Sequence, residues 1–132
     1  MTRYLFLLGV LLLSFTAVSA QDDVVKKELA KLQGTWVVVS AEFNGKSVES
    51  SKGDTFTFEG NKAKIKNKVK ETEPMTIKLD PAKKPKEIDF QDGSQGIYRL
   101  EGDALTLFYG GKRPSGFDAK EGLLLKLKRA KS

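Results

Sequence analysis

The chain has 132 residues, contains neither cysteine nor histidine, and carries a formal net charge of +6 at pH 7. The missing cysteines exclude a disulfide framework and thiol chemistry, and the missing histidines remove the commonest general base and metal ligand. A basic balance suits acidic polysaccharide, anionic lipid or nucleic acid as partners, but 30% charged residues of both signs, interspersed, are equally an ordinary solvated surface.

Residues 1–20 read as an export signal. Arg3 gives a positive start, "YLFLLGVLLLSF" is an apolar run too short to span a bilayer comfortably, and Val18 and Ala20 are the small residues a signal peptidase reads. Cleavage is expected after Ala20, an uncleaved anchor being the alternative. No cysteine follows that point, which argues against lipid anchoring. Residues 21–132 are then one domain, expected in the periplasm or outside the cell, with no membrane-spanning segment and as a monomer. A domain of this size buries about two-thirds of its unfolded surface.

"DDVVKKELAKLQG", Asp22 to Gly34, predicts a short helix, acidic at its start and basic before Gly34, with Val25, Leu29 and Leu32 on one face. Eight strands are predicted after it, near Thr35–Phe43, Thr55–Glu59, Lys62–Val69, Met75–Leu79, Glu87–Phe90, Gly96–Glu101, Ala104–Tyr109 and Leu123–Arg129. Asn44-Gly45, Gly60-Asn61, Asp80-Pro81, Asp92-Gly93 and Gly102-Asp103 supply turn chemistry between them. Alternation sets Phe56 and Phe58 against Thr55, Thr57 and Glu59, and sets Ala63, Ile65 and Val69 against lysines 62, 64, 66, 68 and 70. Met75, Ile77 and Leu79 repeat the pattern, as do Ile88 with Phe90 and Leu123 with Leu125 and Leu127. One apolar and one wet face per strand, joined by short links, predicts an all-β fold: an eight-stranded antiparallel up-and-down barrel with a short N-terminal helix. An open sandwich of two sheets is the rival arrangement.

Gly34-Thr35-Trp36, after a short helix and at the mouth of the first strand, resembles the Gly-x-Trp signature of lipocalins. "LQGTWVVVSAEFNGK", "PKEIDF", "GIYRLEGDALTLFYG" and "KRP" extend the likeness over residues 29–129, to a family of small exported lipocalin-like domains of planctomycete bacteria. The resemblance implies a barrel closed at one end by Trp36, with Arg129, or as second choice Arg99, lying over the indole. It implies no particular activity. Members often carry a cysteine where this chain has Phe108, so thiol chemistry could not run here.

Catalytic chemistry is hard to assemble. Among Asp80, Asp89, Asp92, Asp103 and Asp118, three fall in predicted turns and Asp89 alternates outward, so no carboxylate pair of the glycosidase kind stands out. "GGKRPSG", Gly110 to Gly116, lacks phosphate-loop spacing and reads as a flexible loop able to cover the open mouth. The stripe Lys62, Lys64, Lys66, Lys68 and Lys70 is a candidate polyanion face, although without interleaved aromatics it does not suit specific nucleic-acid binding. Phe56, Phe58, Ile77, Phe90, Tyr98, Leu107 and Tyr109 are the candidate interior, able either to line an apolar pocket or to fill the barrel. The leading expectation is a non-catalytic barrel, needing neither cofactor nor metal, that holds a small hydrophobic molecule. The alternative is a filled barrel whose basic outer face meets an acidic envelope polymer.

Overall fold

The computed structural model describes residues 23–130, so the export segment and its cleavage point lie outside the described residues. Helix α1 covers residues 23–32. The strands are β1 (Gly34–Phe43), β2 (Lys46–Ser47), β3 (Thr55–Glu59), β4 (Lys62–Lys66), β5 (Met75–Asp80), β6 (Lys86–Phe90), β7 (Gln95–Glu101), β8 (Ala104–Gly110) and β9 (Leu123–Arg129). From β3 to β9 each strand pairs antiparallel with the next, and β1 pairs with both β3 and β9, which closes the sheet into an eight-stranded barrel. The two residues of β2 form an extra hairpin arm on β1. Closure gives each of the eight strands a partner on both sides, which answers the aggregation hazard of an open sheet, although β4 and β5 meet over only two residue pairs.

The expected alternation holds in most strands. Phe56 and Phe58, Ile77 and Leu79, Ile88 and Phe90, Leu105 and Leu107, and Leu125 and Leu127 join Trp36, Val38, Ala41, Ala63 and Tyr98 in one buried cluster. In β1 the rhythm breaks: the register against β9 shifts between Val38 and Ser40, so Val39 is an extra residue. Such a bulge moves the inward set by one place, and the next buried residue is Ala41.

Three expectations need correction. Strand β4 ends at Lys66, and the Asn67 Oδ1 accepts from the amides of Val69 and Lys70, both at 2.9 Å. That Asx turn competes successfully with strand extension, leaving Val69 93% exposed rather than inward. The strand ends also shift elsewhere: β6 starts at Lys86, which turns inward, and β2 was not anticipated. Finally, the segment after β8 does not cover the mouth. Arg113 bonds Asp89 Oδ1 (2.6 Å) and the Gly96 carbonyl (2.8 Å) on the outer wall. Pro114 is buried, and Arg99 lies 4.7 Å from the centre of the Phe117 ring. Ile97 and Phe108, on outward positions of β7 and β8, are buried on that side of the wall.

Among the described residues, no helix is long and apolar enough to cross a membrane.

Candidate functional site

The two ends of the barrel differ in kind. At the end where β1 begins, the Arg129 guanidinium stands 4.2 Å from the centre of the Trp36 ring. Its Nη1 and Nη2 donate to the carbonyls of Gln33 (2.6 Å) and Lys31 (2.8 Å), and its Nε to Asp103 Oδ1 (3.1 Å). Trp36 Nε1 donates to the Leu32 carbonyl at 2.8 Å, and Gln33 Nε2 to that of Leu29 at 2.9 Å. A helix normally ends with its last carbonyls unpaired. Here two side chains of the barrel and one of the linker take them. Gln33 also bonds both the amide (2.7 Å) and carbonyl (3.0 Å) of Gly60, joining the helix to the β3–β4 turn. Gly34, at φ +106°, makes the turn from helix to strand that a side chain would resist. Arg99 sits elsewhere, paired with Glu101 and stacked on Phe117.

A polar lock absent from the sequence reading lies beside this plug. Glu28, only 5% exposed, accepts from Lys86 Nζ (2.7 Å) and from Tyr98 Oη (3.0 Å). Burial pushes its carboxyl up, but the hydrogen bonds from Lys86 and Tyr98 and the charges of Lys86 and Lys31 outweigh it and hold the group below the usual carboxylate range. Burial, then the Glu28 carboxylate, pushes the Tyr98 phenol up. Tyr98 is therefore a neutral donor whose hydroxyl bonds Glu28.

The interior between the ends is tight. Phe58, Tyr98 and Leu107 are 0–1% exposed, and Phe56, Ile77 and Phe90 are 2–5% exposed. The Phe56 ring centre lies 6.4 Å from those of Phe58 and Tyr109, and that of Phe90 lies 5.2 Å from that of Tyr109. Of the seven candidate interior residues, six belong to the sealed core, and Tyr109 packs against it half-buried.

At the open end the core becomes accessible. Ile65, Met75, Tyr109 and Leu123 are half-buried, each the inward residue nearest that end of its strand. Val48, in the connection from β2 to β3, leans onto the core from the same side. That connection, rather than the loop after β8, partly covers the mouth. Asp54 lies at its base, and its Oδ1 is buried with no hydrogen-bond partner among the described residues. Burial pushes the Asp54 carboxyl up, against an opposing pull from Lys68. Burial, with the charges of Asp92 and Asp54, pushes the Tyr109 phenol up to about 12. The mouth thus combines apolar walls, a neutral phenol and an acceptor lacking a donor.

The lysine face is divided. Lys62, Lys64 and Lys66 lie on the outer side of β4, whereas Lys68 and Lys70 belong to the turn beyond it. Lys62 Nζ donates to Thr76 Oγ1 at 2.7 Å, and Lys64 approaches Glu71 at 3.8 Å. Thr57, Glu59, Lys62, Lys64, Glu71 and Pro74 line a shallow groove of about 340 Å³ here, whose carboxylates dilute its positive charge.

No family model and no curated protein matches the chain.

Proposed function

We propose that this chain is an exported, lipocalin-like, non-catalytic binding barrel that takes a small hydrophobic molecule at its open end. One observation carries the reading: of the half-buried apolar residues packed on the core, Ile65, Met75, Tyr109 and Leu123 gather with Val48 at this end, against only Leu29 and Leu100 at the other. The orphaned Asp54 oxygen beside them adds a preference for a ligand bearing one hydrogen-bond donor, since a buried acceptor without a partner costs about 1–3 kcal/mol. Phe58, Leu107 and Tyr98 act as the packed floor of the cup. The ligand is therefore small or enters only part-way.

Titration with N-phenylnaphthylamine tests this. The proposal predicts saturable binding to one site, weakened at least about tenfold by Leu123→Glu or Tyr109→Lys in variants that circular dichroism shows still folded. Unsaturable binding, or binding indifferent to both changes, would contradict it. The tightness of the core favours a second reading, a filled barrel that meets an acidic envelope polymer through Lys62, Lys64 and Lys66. In that case the dye finds no site, and a polyanion binds with strong dependence on salt.

A further inference from the structure

The turn beyond β4 presents an apolar side chain among three exposed lysines, with the exposed Glu71 and Glu73 following it. Its sequence is "KNKVK", residues 66–70. Val69 at its tip is 93% exposed, far more than the other large exposed apolar residues. That exposure is held in place: besides the two bonds accepted by the Asn67 side chain, the Asn67 amide donates to the Lys70 carbonyl at 3.0 Å. Lys66, Lys68 and Lys70 are exposed around it, and none of the three forms an ion pair among the described residues. A second tip leaves the same end of the barrel, because β4 and β1 both run toward it. There Phe43, 53% exposed, closes β1 opposite Lys46 of β2.

We infer that the open end docks on an anionic lipid surface, with Val69 and Phe43 entering the interface and lysines 46, 66, 68 and 70 facing lipid phosphates. Charge complementarity selects the partner class, and the projecting apolar tips select a membrane over a soluble polyanion. A polymer chain would draw on the lysines and gain little from Val69, whereas a bilayer interface accepts both. The inference goes beyond the proposed ligand and holds whether or not the barrel is occupied. It also places the mouth where an apolar molecule could pass between lipid and protein.

The test is co-sedimentation of the chain from Gln21 onward, which carries the helix and every strand, with vesicles of phosphatidylcholine alone or containing phosphatidylglycerol. Binding is expected only to the anionic vesicles and to weaken with added salt. Lys68→Glu with Lys70→Glu should lower it roughly thirtyfold, and Val69→Ser about fivefold. Lys126→Glu with Lys128→Glu, on the outer wall of β9, should leave it nearly intact. All these positions are exposed, and circular dichroism checks that each variant folds. Equal loss from both lysine pairs, an unaffected Val69→Ser variant, or binding to polyphosphate but not to vesicles would each overturn the inference.

Discussion

Arg129 does two jobs that no other cation could combine. Its planar fork reaches the Lys31 carbonyl of the helix, the Gln33 carbonyl of the linker and Asp103 while its face rests on Trp36. The stacking is worth about 0.5–2 kcal/mol. The hydrogen bonds matter as much, because their loss strands carbonyls at the helix end. Arg129→Lys keeps the charge yet is predicted to cost about 2 kcal/mol in urea unfolding, and Arg129→Ala about 2–4 kcal/mol. Trp36→Ala should cost more, about 3–5 kcal/mol, since the whole indole is buried. Near-equal stability of Arg129→Lys and the parent chain would show that charge alone suffices. Glu28 adds a pH dependence. Its carboxyl titrates lower when folded, so its contribution is full above the usual carboxylate range and is lost as pH falls through the folded value. Glu28→Gln keeps an acceptor for Tyr98 but no charge, and should lose less stability on acidification than the parent. Parallel acid profiles would contradict this.

At the scale of elements, the sequence is informative where the outer face is polar. "TFTFE" and "MTIKL" alternate because water lies outside those strands, and β3 and β5 follow them closely. In β7 and β8 the outward positions Ile97 and Phe108 are apolar, because another segment covers them. That cover comes from residues distant in sequence, so no local period could reveal it. The Lys66–Lys70 stretch misleads for the opposite reason: its alternation continues while Asn67 turns the chain. Gly34 and Trp36 were legible as a pair, whereas Glu28, an acid in a polar-looking helix, gave no sign of burial until Lys86 and Tyr98 came within reach. Arg113, half-buried between Asp89 and Glu87, is predicted to pin the loop after β8. Arg113→Ala should speed hydrogen exchange across residues 111–122 and leave β3 to β5 unchanged, at a cost of about 1–2 kcal/mol. Uniform acceleration across the barrel would argue that the loop is integral to the core.

For the whole molecule, the division of labour runs along the barrel axis. One end is sealed by Trp36, Arg129 and α1, and the middle is filled by aromatic and branched side chains. Without disulfides, that packing and the helix lock carry the stability. The other end keeps its apolar residues half-buried, beneath Val48 and beside Asp54. A fold stabilised by its filled middle and its sealed end can leave the other end free for contact. The central claim is that this open end holds a small hydrophobic molecule. Native mass spectrometry of the chain from Gln21 onward, purified gently from an exporting host, tests it most directly. The account predicts a reproducible added mass that organic solvent removes and that Leu123→Glu abolishes. A bare chain mass, unchanged after incubation with a mixed lipid extract, would contradict it.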